Sequence, residues 1–95
     1  MFYGNLELKE VNVKGIEYIG DGAFINCVKL DTIDLTTVYE IGIEAFKSCA
    51  GLVNVSLDNC VKLNKSAFWV CNNLQSIYMP KIEFIDSAAI AETAV

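Results

Sequence analysis

The sequence predicts an α/β repeat, a right-handed solenoid of about four 22-residue coils with parallel strands on one face and short helical turns on the other. Three observations predict it. Cys27, Cys49 and Cys71 are spaced 22 residues apart, and the chain aligns without a gap when written in blocks of that length. Four columns are then identical: Ala23/Ala45/Ala67, Phe24/Phe46/Phe68, Cys27/Cys49/Cys71 and Leu30/Leu52/Leu74. Four more stay apolar apart from Cys60: Ile16/Val38/Cys60, Ile19/Ile41/Leu63, Ile33/Val55/Ile77 and Leu35/Leu57/Met79.

The elements follow in chain order. Residues 1–15 read as the tail of an earlier coil, with Phe2 in the column of Phe24 and Leu8 in that of Leu30. Val11 and Val13 fall in the columns of Ile33 and Leu35. Complete coils cover 16–37, 38–59 and 60–81, and a partial coil covers 82–95, so 1–95 is a single array. Within a coil, Leu30-Asp-Thr-Ile33-Asp-Leu35 alternates inward and outward as a half-buried strand does. Its counterpart is Leu52-Val-Asn-Val55-Ser-Leu57. Thr36-Thr37, Asp58-Asn59 and Pro80-Lys81 supply turns. Ala-Phe-x-x-Cys-x-x-Leu then places apolar residues at spacings of three and four, which predicts one or two helical turns. No single coil folds alone, because ordering costs about 1–2 kcal/mol per residue in backbone entropy. Stacking coil on coil supplies the missing burial.

Composition excludes several function classes. The chain has 95 residues, 54% hydrophobic, with a mean hydropathy of +0.40. Its longest apolar run is nevertheless Ala67–Cys71, far below the roughly 18–20 residues that span a bilayer, so membrane insertion is not expected. The segment MFYGNLELKE lacks a basic flank and an apolar stretch, so it predicts no targeting segment. A net charge of −5 without any basic cluster leaves no footprint for nucleic acid. Histidine is absent, which excludes Ser–His–Asp and Cys–His catalysis.

The pattern L-x-x-[IV]-x-L-x-x-[VCI]-x-x-[IL]-[GN]-x-x-A-F-x-x-C resembles the BspA-like, treponemal-type leucine-rich repeats. Ile19-Gly20 to Cys27 and Ile41-Gly42 to Cys49 carry its most diagnostic run, and the resemblance covers essentially the whole chain. Lys62-Leu63-Asn64 departs from the Ile-Gly step, and Ser87-Ala88-Ala89-Ile90 departs from the Ala-Phe step. The resemblance implies a leucine-rich-repeat solenoid and a cell-surface setting, with binding of host or matrix proteins. It specifies the fold more sharply than the function, because repeat arrays are defined by their core and vary on their surface.

The repeated columns read as core. Cys27, Cys49 and Cys71 lack the close pairing of a zinc site. Adjacent members lie within disulfide reach in a stack, yet side chains of one column run parallel, so they read as small buried apolar residues. Cys60 shares the column of Ile16 and Val38 and reads the same way. Phe24, Phe46 and Phe68 read as the spine of the core. Asp31 and Asp34 are the nearest approach to a glycosidase acid pair, but neither recurs in the next coil. No catalytic residue, cofactor or metal ligand is expected.

The outward strand positions form the candidate binding strip: Glu10/Asn12, Thr32/Asp34, Asn54/Ser56 and Ser76/Tyr78. The strip is polar and mildly acidic, and Tyr78 is its aromatic anchor. Trp69 sits in a column shared with Ile25 and Lys47, which points it outward beside Val70, as a contact patch or a partly covered surface residue. Asn54-Val-Ser56 and Asn64-Lys-Ser66 fit the glycosylation acceptor pattern.

Neither end carries the polar face of a capping coil. The expectation is a piece of a longer array, with open strand edges that favour edge-to-edge self-association. The function expected is a non-enzymatic adhesion or binding module for a protein or glycan, on Thr32, Asp34, Asn54, Ser56, Ser76, Tyr78 and Trp69. The alternative is a structural spacer supporting another domain. A surface or secreted location follows from the resemblance, whereas unpaired buried cysteines suit a reducing cytoplasm.

Overall fold

The computed structural model describes residues 4, 6–11 and 15–95. The expected placements of Phe2, Asn12 and Val13 lie outside the described residues. Among the described residues eight short strands follow one another: β1 (Glu10–Val11), β2 (Tyr18–Ile19), β3 (Thr32–Ile33), β4 (Glu40–Ile41), β5 (Asn54–Ser56), β6 (Lys62–Leu63), β7 (Ser76–Tyr78) and β8 (Phe84–Ile85). Every pairing is parallel and joins residues 22 apart, as in Ile19–Ile41 and Val55–Ile77. The chain therefore returns to the same place after each block, and the columns of the sequence become ladders of side chains.

Two features differ from the sequence expectation. The strand written as Leu30–Leu35 shrinks to Thr32–Ile33, and a second strand column appears where none was expected. That second column makes a four-stranded sheet in the order β2-β4-β6-β8. The expected strip is instead two separate two-stranded sheets, β1-β3 and β5-β7. A local cause shortens β3. The Asp34 carboxylate accepts the Thr36 amide at 3.0 Å and the Thr36 hydroxyl at 2.7 Å. Such an Asx turn bends the chain where Ser56 and Tyr78 continue their strands.

The expected helical turns are also replaced. No helix occurs among the described residues, and the Ala-Phe-x-x-Cys segment is a run of consecutive turns. Its amides alternate between two destinations. Ala23, Ile25 and Cys27 donate three residues back, to Gly20, Gly22 and Phe24. Gly22, Phe24 and Asn26 donate across to Ile43, Ala45 and Lys47 of the next coil. A helix would keep all of these bonds within the coil. Here half of them tie one coil to the next, and the pattern recurs at Glu44, Phe46 and Ser48 and again at Ser66, Phe68 and Val70.

Such turns place residues in the left-handed region. Gly22, Glu44, Ser66 and Ala88 have φ of 66°, 56°, 57° and 58°, and Asn26, Ser48, Val70 and Glu92 have 61°, 61°, 62° and 55°. In the first turn of each run and in the last, this is the third position, which a type II turn sets to positive φ. Gly22 and Asn26 take that conformation readily, whereas a β-branched Val70 is strained there. The expected turns at Thr36-Thr37, Asp58-Asn59 and Pro80-Lys81 are present.

The core runs along the stack. All four identical columns are buried in the three complete coils, as are Val38, Cys60, Leu35 and Leu57. Phe24, Phe46 and Phe68 stack in turn, with ring centroids 5.1 and 5.2 Å apart and planes within 6° and 4° of parallel. That spacing matches the roughly 4.8 Å between paired strands, so the coil rise itself sets the ring contact. The cysteine column is fixed against the same ladder. The Cys49 thiol donates to the Phe24 carbonyl at 3.0 Å, and the Cys71 thiol to the Phe46 carbonyl at 3.0 Å. All four cysteines are unbridged thiols.

Candidate functional site

The residues expected to bind fall on three parts of the chain: the β5-β7 sheet, β3 with the turn after it, and the turn segment that holds Trp69. Asn54, Ser56, Ser76 and Tyr78 come together on the outer face of β5 and β7, where Asn54 pairs in register with Ser76 and Ser56 with Tyr78. The Ser76 hydroxyl donates to the Asn54 amide oxygen at 2.6 Å, which fixes two of the four side chains. Tyr78 stands beside them with 58% of its surface exposed. It presents an aromatic ring and a hydroxyl on a firm strand backbone, the composition that anchors many protein contacts.

Thr32 and Asp34 belong to the other small sheet and are both exposed. The Thr32 hydroxyl donates to Asp31 at 2.9 Å, and Asp31 also faces Lys9 at 3.8 Å. With Asp34 engaged by Thr36, both carboxylates of the considered acid pair serve local structure.

Trp69 lies on the turn segment, away from either strand patch in sequence position, and is half-buried. Its indole N–H donates to Glu92 at 2.9 Å, and the Lys47 ammonium sits 4.8 Å from its ring centroid. Glu44 approaches the same lysine at 3.9 Å. Trp69 is thus the partly covered surface residue of the two expectations, held by neighbours one coil away on each side. A cation over an indole face and an indole donor on a carboxylate both stabilise the stack.

Of the two glycosylation patterns, Asn54 is exposed on β5. Asn64 is half-buried, and its amide donates to Glu40 and to the Ile41 carbonyl, each at 2.8 Å. The core thiols are far from reactive. Burial pushes the Cys71 thiol up to about 11, and burial likewise raises Cys49 and Cys60.

One surface escaped the sequence. The four-stranded sheet is the continuous one, and its outward row reads Tyr18, Glu40, Lys62, Phe84. Tyr18 (44%), Phe84 (49%), and the flanking Tyr39 (45%) and Ile43 (45%) are exposed. Glu40 approaches Lys62 at 4.0 Å, and Lys62 lies 5.5 Å from the Phe84 ring centroid. Tyr18 donates to Asp21 at 3.4 Å, and its hydroxyl is held above the ordinary range, first by desolvation and then by Asp21. The signal was available as the column Tyr18/Glu40/Lys62/Phe84, but two-residue strands are too short to show alternation.

Parallel strands recurring every 22 residues, over ladders of leucine, phenylalanine and cysteine, define a leucine-rich-repeat protein. A family model described as BspA type Leucine rich repeat region (6 copies) matches residues 1–95. The chain belongs to the BspA type leucine-rich-repeat family. No curated protein and no solved structure matches it.

Proposed function

We propose that the chain is a non-enzymatic protein-binding and adhesion module in a cell-surface or secreted setting. In this reading residues 1–95 form one right-handed solenoid, and the β5-β7 patch of Asn54, Ser56, Ser76 and Tyr78 takes the partner. Thr32 and Asp34 extend that contact along the strand columns, and Trp69 on the turn segment is a separate place for a partner. Tyr78 carries the proposal, being an exposed aromatic on a rigid strand beside a hydrogen-bonded Asn54–Ser76 pair. Membership of a surface-repeat family supports it, as does the absence of any basic cluster that would draw the module to nucleic acid.

The test is binding of the chain to an immobilised panel of extracellular-matrix proteins. Tyr78→Ala is expected to weaken capture by about tenfold, a hot-spot loss of 1.4 kcal/mol or more. Its thermal melt should be unchanged. If the chain captures none of the panel, or if Tyr78→Ala leaves capture intact, the binding role is lost and the spacer role gains.

A further inference from the structure

The four-stranded sheet carries a row that is its own charge complement when reversed: aromatic Tyr18, acidic Glu40, basic Lys62, aromatic Phe84, so reversal keeps the aromatic ends and exchanges acid for base. We infer that this face docks onto a second copy of the same chain, sheet against sheet, with two-fold symmetry. A half-turn about an axis along the strands, passing between β4 and β6, reverses strand order and keeps strand direction. It lays Tyr18 against Phe84 of the second copy and Glu40 against Lys62 of the second copy.

The charges decide this arrangement. Within one chain Glu40 and Lys62 approach at 4.0 Å, a partly exposed pair of small value by itself. Pairing with the second copy gives each charge a second opposite neighbour, which makes a four-member alternating ring on the symmetry axis. Tyr39, 45% exposed, meets Val61 of the second copy beside that ring, which covers the apolar surface the monomer leaves in water. Glu17 and Glu83 fall opposite each other at the rim, where both are exposed and salt screens them. An isologous contact of this kind closes at two chains.

Size sets the strength. Four strands about 4.8 Å apart make a face under about 20 Å across, small against the roughly 800 Å² per partner of a standard interface. The dimer is therefore weak and reversible, and it fills at high concentration.

Sedimentation equilibrium of the 95-residue chain over a concentration series tests the proposal, with circular dichroism confirming the fold of each variant. The mass is expected to rise to two chains and stop there. Lys62→Glu should weaken the dimer by about tenfold, since it sets like charges across the axis twice. Glu40→Lys should do the same. The double swap Glu40→Lys with Lys62→Glu should restore association, because each charge again faces its opposite across the axis. Glu83→Lys should tighten the dimer by turning both rim contacts attractive. A monomer at every concentration overturns the proposal. So does a mass that climbs beyond two chains, which is the mark of edge stacking at β7 and β8, or a folded double swap that stays monomeric.

Discussion

The turn side and the strand strip of this molecule are built on the same 22-residue period, yet only one of them is continuous. On the turn side, three amides of each coil donate to the next through all three coil junctions from Gly22 to Ala91. Inside that wall the Ala, Phe and Cys columns are buried in every complete coil. On the strip, the β1-β3 and β5-β7 pairs are separate sheets. The turns, more than the strands expected to lead, carry cohesion along the stack. The four-stranded sheet joins the same coils on its own side, with flanking bonds such as Gly42 to Ile19 and Asn64 to Ile41. Close packing explains one fixed residue there: a Cβ on Gly42 would lie 2.7 Å from the Ile19 carbonyl oxygen.

The largest effect that would break this contrast comes from the ring ladder. Phe46 lies between two stacked rings and is fully buried, so Phe46→Ala is expected to cost about 3–5 kcal/mol. Chemical denaturation measures it directly. A loss that large is a sizeable part of a small domain's stability, whereas Tyr78→Ala on the strip should stay within about 0.5 kcal/mol. Comparable losses at the two positions would dissolve the distinction between wall and strip.

The cysteine column sharpens the comparison through pH. Cys71 is fully buried, and its thiol is pushed from 9.0 up to about 11, so folding disfavours the thiolate. The unfolded chain then gives up its proton first. Stability from this group is whole below about pH 9 and drains away as pH rises toward 11, by about 2–3 kcal/mol in all. Denaturation midpoints at stepped pH should fall over that window. The fall should be visibly smaller in Cys71→Ala, which has no proton to lose there. An equal fall in both proteins would assign the effect to other groups.

How far the sequence reached follows from the same contrast. The buried columns were legible because Phe, Leu and Cys recur unchanged, and a fixed side chain announces a fixed environment. The turns at Thr36-Thr37, Asp58-Asn59 and Pro80-Lys81 were legible from residue type. The wall was mistaken for a helix because both structures close bonds three or four residues apart, and Ala23, Phe24 and Cys27 suit either. What separates them is the left-handed column, and Gly22, Glu44, Ser66 and Ala88 share no side chain that would betray it. Asn54, Ser56, Ser76 and Tyr78 are register neighbours on β5 and β7, as a 22-residue period requires. The end of β3 at Ile33 was hidden, because it goes with hydrogen bonds local to Asp34. Trp69 was placed near the surface by its column, but its clasp by Lys47 and Glu92 depends on residues a full coil away.

The smallest effect probes the wall's own strain. Val70 holds φ of 62°, where a left-handed backbone costs an ordinary side chain about 1–2 kcal/mol and a β-branched one fits worst. The same column holds Gly4 and Asn26, residue types that accept this conformation. Val70→Asn should therefore raise stability, by about 1 kcal/mol once the loss of a half-buried valine is set against the relief. An increase in melting temperature checks it. The direction is the informative part. If the substitution lowers stability, the valine's packing outweighs the conformation of the turn, and cohesion on this side of the molecule owes more to side-chain columns than to the turn geometry that aligns the coil-to-coil hydrogen bonds.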